Sequence, residues 1–170
     1  ASMRTRTGLD GTERFRHIAD AAARLPVRGA ILDGEVVALQ PSGVPSFALL
    51  QETLKSGRTE RLVYYVFDLL FLDERDLRGA GLQQRKSLLE ALVGDAEGPI
   101  RYSDHQIGSG PPFFENACRM ALEGVVSKRR ASPYQSGESR DWVKVKTVEW
   151  RVANRDRWKF FQGNRLSGGV

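Results

Sequence analysis

Glu123, Lys144 and Lys146 are the residues whose types and spacing most directly suggest chemistry. In "DWVKVK", Trp142, Lys144 and Lys146 fall on one face of an extended chain, with Val143 and Val145 on the other. The roots of the two lysines are then about 6.6 Å apart, two residues of strand rise. That spacing suits gripping one phosphoryl group between two point charges. A solvated strand edge guarded by lysines has the same pattern. Glu123 heads "EGVV" and Glu35 heads "EVVAL", each beside a glycine, Gly124 and Gly34. A glutamate at the mouth of a strand can hold Mg²⁺ or a sugar hydroxyl, and a neighbouring glycine permits close backbone approach. Singly, each also reads as an ordinary surface glutamate. Phe67, in "YYVFDLLF", is a core residue by default, but an aromatic beside polar groups can stack on a purine.

The charge distribution gives these residues a context. Residues 1–123 hold 15 Lys/Arg and 17 Asp/Glu, whereas residues 124–170 hold 11 and 4. A basic segment after a near-neutral body suggests a phosphate-rich partner, nucleotide or nucleic acid. The single cysteine, Cys118, excludes an internal disulfide framework and fits a reducing compartment, here taken as cytoplasmic. It reads as a small hydrophobe on a helix. His17 and His105 stand alone and read as structural, and the absence of a His/Cys cluster argues against structural zinc. No apolar run approaches the roughly 20 residues of a membrane span, and no signal-peptide pattern opens the chain. Ala1 and Ser2 precede the first methionine, Met3, where the natural chain is expected to start.

The elements that must position these residues follow from periodicity. "TERFRHIADAAARL" predicts a helix capped by Asp10 or Thr12 and ended by Pro26. "AILDGEVVALQPSGVPSF" reads as β-rich with a turn at "QPSG", and "SFALLQETL" as a short helix. "RLVYYVFDLLFL" predicts a buried strand, "LQQRKSLLEALV" an amphipathic helix, "IRYSDH" a short strand, and "PPFFENACRMAL" a helix entered through prolines. "EGVVSKR" and "DWVKVKT" are expected to close the core as strands. The mixture lacks a βαβ rhythm, so the fold class is α+β, antiparallel sheets flanked by helices. The tail interleaves Trp150, Trp158, Phe160 and Phe161 with Arg151, Arg155, Arg157 and Lys159. It reads either as core-covering aromatics or as a base-stacking, phosphate-holding surface. Residues 1–147 are therefore expected as one domain and 148–170 as a basic aromatic tail.

"ILDGEVVAL", "YYVFDLLFL", "LEGVVSKR" and "DWVKVK", in this order, resemble nucleotidyltransferase motifs III, IIIa, IV and V of ATP-dependent DNA ligases. The likeness is to the bacterial end-joining ligase D type, with "TRTGLDGTERF" resembling the segment after motif Ia. The resemblance covers roughly residues 4–147 and implies part of the ligase and mRNA-capping nucleotidyltransferase fold, which is ATP-grasp-like. RNA ligases and capping enzymes share the broad scheme, but "EGVVSKR", "SPY" and "DWVKVK" favour the DNA ligase branch. The resemblance implies Glu35 near the nucleotide ribose, Phe67 on the adenine, and Glu123, with Glu35, at a divalent metal, Mg²⁺ or Mn²⁺. It implies Lys144 and Lys146 on the α-phosphate of ATP, and Arg6 on nucleotide or a DNA 5′-phosphate. Lys128, Arg129, Arg130 and Arg140 would meet nicked or broken duplex DNA. Glu138 stands where the family pattern leads one to expect arginine.

Such ligases attack ATP with the lysine of a K-x-D-G motif. Lys55, Lys86, Lys128, Lys144, Lys146 and Lys159 are the six lysines here, and none precedes x-D-G; "GLDG" and "ILDG" carry Gly8 and Ile31 at the lysine position. The 24 residues after Lys146 are also too few for the family's oligonucleotide-binding barrel. The expectation is a partial adenylation domain with residual ATP, metal or DNA binding and no self-adenylation alone. The alternatives are one half of a split ligase completed by a partner chain bearing K-x-D-G, and a non-catalytic nucleic-acid-binding module. An incomplete sheet further predicts a homodimer through an exposed edge.

Overall fold

The structure, a computed structural model, describes residues 1–94, 96, 98–108, 110–120, 122–137, 139–148 and 152. Glu138 and the aromatic–basic residues of the tail lie outside these. The chain divides into two units: residues 1–105 with 130–136, and residues 106–129 with the stretch from 137 onward. Each is taken by itself.

In the first unit, Arg16–Ala23 forms α1, burying Ile18 and Ala19. Neither Asp10 nor Thr12 caps it; the N-cap is Phe15, without a side-chain bond. Asp10 instead accepts from the Thr12 amide at 2.8 Å, and Thr12 accepts from the Met3 amide at 3.0 Å, so both build the turn that precedes the helix. His17 is structural, its Nε2 lying 2.9 Å from the Leu62 carbonyl oxygen. Strand β1, Ala30–Val37, is followed by the expected turn, with Gly43 at φ +81°. Helix α2, Phe47–Ser56, has Ser46 as N-cap, accepting from the Leu49 amide, and left-handed Gly57 as C-cap. Strand β2, Val63–Leu72, turns through Asp73 and Glu74, both at positive φ, into the two-residue β3, Arg75–Asp76. This is a two-residue reversal of the kind suited to strand twist. Asp73 is held there by accepting the Arg28 and Gly29 amides at 2.7 and 3.2 Å. Helix α3, Leu82–Val93, and strand β4, Ile100–Tyr102, complete the unit.

β2 is the spine of the larger sheet. β1 pairs antiparallel along one edge, and β3, antiparallel, and β4, parallel, share the other. Ile18, Val66, Leu69, Leu77, Leu89, Val93 and Ile100 form the core, with Leu32 and Val36 packed against it. β2 is less uniformly apolar inside than its sequence suggests: its buried residues are Val63, Val66, Leu69 and the carboxylate Asp68.

In the second unit, Gly110–Arg119 forms α4, entered through Pro111 and Pro112, with Ala117 buried and Cys118 half-buried. Among the described residues, β5, Gly124–Lys128, and β6, Trp142–Lys146, pair with each other, antiparallel. They make a two-stranded sheet. Val126, Val143 and Val145 are exposed on it. No helix of the described residues is long and apolar enough to cross a membrane.

Candidate active site

The β5–β6 register explains how Glu123 meets the lysines. Gly124 lies opposite Lys146, and Val126 opposite Lys144. A Cβ on Gly124 would sit 2.2 Å from the Val145 carbonyl oxygen and 2.8 Å from Lys146 Cα, so only glycine fits. The hairpin end is tied by Thr147, whose amide donates to the Glu123 carbonyl at 3.0 Å and whose hydroxyl donates to Leu122 at 2.7 Å. Glu123 is thereby held at the strand end, and its Oε1 accepts from Lys144 Nζ at 2.8 Å and Lys146 Nζ at 3.4 Å. Partial burial pushes the Glu123 carboxyl up, but the Lys144 hydrogen bond and charge, then those of Lys146, outweigh it and hold it below the usual range. Two ammonium groups thus converge on one anionic oxygen, leaving the trio with net charge +1. A phosphoryl oxygen offers the same acceptor.

The neighbouring cations are engaged differently. Lys128 Nζ lies 3.9 Å from the Trp142 ring centroid, on the residue opposite it in register. Arg129 pairs with Asp141 at 2.8 Å. Arg130 belongs to the first unit and donates to Gln83 Oε1. Arg140 is exposed. The four residues expected at DNA therefore divide between the two units. Exposed pairs of this kind contribute at most about 1 kcal/mol each, so exchanging such partners for a phosphate is inexpensive.

In the first unit, Glu35 stands in the middle of β1, not at a strand mouth, because Ala30 and Leu32 already pack on the core. It is exposed, with Tyr65 opposite, and Tyr65 in turn lies opposite Arg101 of β4. Gly34 is required by its neighbours: a Cβ there would sit 2.4 Å from the Tyr65 carbonyl oxygen. At both glycines the close approach is by the partner strand, not by a ligand. Phe67 is the extra residue of a β-bulge. Gly34 pairs with Val66 and Asp33 with Asp68, so the register passes over Phe67. Bulges of this kind re-aim a side chain. Arg6 is exposed in a turn closed by the Gly8 amide to Thr5 and the Leu9 amide to the Thr5 hydroxyl.

Beside Phe67 lies a network that sequence reasoning missed. Asp68 and Arg85 are fully buried and paired in fork geometry, Nε to Oδ1 at 2.7 Å and Nη2 to Oδ2 at 3.0 Å. Tyr134 donates to Asp33 Oδ2 at 3.0 Å. The available signal was Arg85 itself, set in the apolar stripe Leu82–Leu89–Val93 of an amphipathic helix, where a cation needs a buried partner. An open depression beside β4, lined by Tyr65, Glu90, Arg101, Tyr102 and Asp104, contains none of the expected site residues.

The described residues hold no cluster of three or more metal-ligating side chains. Glu123 is one carboxylate under two ammonium groups, which repel a lone cation. Mg²⁺ is commonly held by one or two carboxylates together with substrate phosphates. The residues therefore fit a divalent ion only in company with a polyphosphate.

Residues 1–146 match the model of the ATP dependent DNA ligase domain. The chain belongs to the ATP-dependent DNA ligase domain family. Over 143 residues this ligase-domain chain is 41% identical to the multifunctional non-homologous end joining protein LigD of Pseudomonas aeruginosa, which spans 84% of the chain and 17% of that protein. The ligase domain of M. tuberculosis LigD superposes with TM-score 0.71 at 37% identity, over 85% of this chain and 47% of that one. A mycobacterial DNA ligase D complexed with ATP and MES gives TM-score 0.71 at 38% identity, with the same coverage. The ligase-domain chain thus spans under half of these two ligase D structures and about a fifth of the LigD proteins it matches. The α+β nucleotidyltransferase fold expected from the motifs is the fold observed.

Proposed function

We propose that this chain supplies the phosphate-gripping and base-contacting residues of an ATP-dependent DNA ligase adenylation site of the end-joining type. The observation that carries the reading is the convergence of Lys144 and Lys146 on one carboxylate oxygen at 2.8 and 3.4 Å. Lys144 and Lys146 neutralise the α-phosphate of ATP, and Glu123, released from them, helps hold the divalent ion that accompanies the triphosphate. Glu35 meets the ribose and Phe67 stacks on the adenine. The mycobacterial relative complexed with ATP supports the choice of nucleotide.

In this reading the attacking amine is a K-x-D-G lysine outside residues 1–170, on the same or another polypeptide. It loses a proton, forms a nitrogen–phosphorus bond to the α-phosphate, and expels pyrophosphate; AMP then passes to a DNA 5′-phosphate. The two lysines stabilise charge gathering on the α-phosphoryl oxygens, where preorganised cations are most effective. The substrate is broken or nicked duplex DNA, approached by Lys128, Arg129, Arg130 and Arg140.

The test is adenylation after mixing with a polypeptide carrying the K-x-D-G segment, followed by intact mass. The reading expects AMP on the added lysine, dependent on Mg²⁺ and abolished by Lys144→Ala. AMP bound to one of this chain's own lysines would overturn it.

A further inference from the structure

Arg85 and Tyr134 both hold the strand segments that meet at the Phe67 bulge. Phe67 is the extra residue of the bulge, and the register partners on its C-terminal side are Asp33 and Asp68. Each of these carboxylates is held by a side chain from outside the two strands, and Asp68 also accepts from the Leu69 amide at 2.9 Å. Asp68, fully buried, takes both prongs of the Arg85 guanidinium. Asp33 takes the Tyr134 hydroxyl at 3.0 Å. The same guanidinium donates through Nη1 to the carbonyls of Ala80 and, at 3.2 Å, Ser132, and lies 5.9 Å from the Tyr134 ring centroid.

Ser132 and Tyr134 sit in the segment 130–136, through which the chain passes from β5 to β6. That segment is stitched to the start of α3 by the backbone: the Leu82 amide donates to Ser132, the Gln83 amide to Arg130, and the Tyr134 amide to Arg78, at 2.8–3.0 Å. One buried network therefore binds two things at once, the bulge with its aromatic ring and the connection between the strands that bear Lys128 and Lys144. Fully satisfied buried networks rigidify what they touch.

We propose that Arg85 and Tyr134 are positioning residues for nucleotide recognition. Acting through Asp68 and Asp33, they hold the bulge so that the Phe67 ring is presented to the base, and they tie that bulge to the β5–β6 connection. The inference rests on the reading of Phe67 as the base-stacking residue. Tyr134→Phe is the informative variant, because it removes one hydroxyl and keeps the ring.

The experiment compares ATP with inorganic tripolyphosphate in equilibrium titrations of the full chain with Mg²⁺. Tyr134→Phe is expected to weaken ATP about tenfold, within what one lost base–aromatic stack is worth, and to leave tripolyphosphate unchanged. In a Phe67→Ala background Tyr134→Phe should then do nothing further. Equal loss for both ligands, loss for neither, or additivity with Phe67→Ala would overturn the proposal.

A second measurement needs no nucleotide. In hydrogen exchange of the free chain, Tyr134→Phe should speed residues 66–69 together with 130–136 while α1 stays protected. Faster exchange in 130–136 alone would refute the tether. If the native chain does not prefer ATP to tripolyphosphate, the stacking role of Phe67 fails on its own, and the exchange result decides whether the tether exists.

Discussion

Lys144 Nζ stands 2.8 Å from Glu123 Oε1, and Lys146 Nζ reaches the same oxygen at 3.4 Å. The carboxylate therefore occupies the ammonium groups that a phosphate would need. In the proposed reading, Glu123 competes with phosphate for its own two lysines.

Glu123→Gln removes that competition and, in the proposed reading, the carboxylate that would help hold the divalent ion. A charge-assisted hydrogen bond contributes about 1.5–3 kcal/mol, so each effect should be on the order of tenfold. Affinity for metal-free tripolyphosphate should rise, and affinity for Mg-ATP should fall. Calorimetric titration with and without chelator separates the two; parallel changes in both would be inconsistent with the account.

The same contact makes a pH prediction. Glu123 is depressed in the folded chain from its ordinary 4.5, so its ion pairs contribute stability above that value. The contribution is lost as pH falls through the lowered folded value. Solvent screens the pair, so the effect on the melting curve is small. A carbon-detected carboxyl titration should place the Glu123 midpoint below 4.5 in the native chain and higher in Lys144→Ala. Asp76, held at about 2 by hydrogen bonds from Arg78, should not move between them and serves as the control.

The buried Asp68–Arg85 pair should dominate the stability of the first unit. Removing one partner of such a pair costs about 3–5 kcal/mol, because the other charge is left unpaired in the interior. Arg85→Met alone should therefore be severely destabilised, and Asp68→Leu with Arg85→Met much less so. Denaturant unfolding checks this through the double-mutant cycle; simple additivity would mean that the two charges do not act as a pair.

Gly124→Ala forces a methyl to within 2.2 Å of the Val145 carbonyl oxygen, so β5 and β6 must part. A cost of about 1–3 kcal/mol is expected from such overpacking, along with weakened ATP binding as Lys144 and Lys146 lose their convergence. Gly79→Ala is the control, since a Cβ there meets nothing within 4 Å. Equal melting temperatures for the two variants would contradict the close strand approach.

Helix α2 was legible as "SFALLQETL", though its end at Ser56 before Gly57 was not, and the shared face of Lys144 and Lys146 was legible because strand alternation is local. The contact of Glu123 with both lysines was not, since it depends on the β5–β6 register across more than twenty residues. Glu35 was misplaced at a strand mouth because the start of β1 is set by Ala30 and Leu32 packing on the core. The Phe67 bulge and the Asp68–Arg85–Ser132 network escaped for a related reason. A charge in an apolar stripe announces that a partner exists, but only the fold says which one. β5 and β6 read as core strands from their valines, yet Val143 and Val145 are exposed and the pair forms its own small sheet.

The most direct test of the phosphate grip is the dissociation constant of Mg-ATP for the native chain, Lys144→Ala and Lys146→Ala, measured at one ionic strength. Loss of one charge-assisted contact should weaken binding about tenfold or more in either variant, with the native melting temperature nearly kept. Unchanged affinity in both lysine variants would contradict the account.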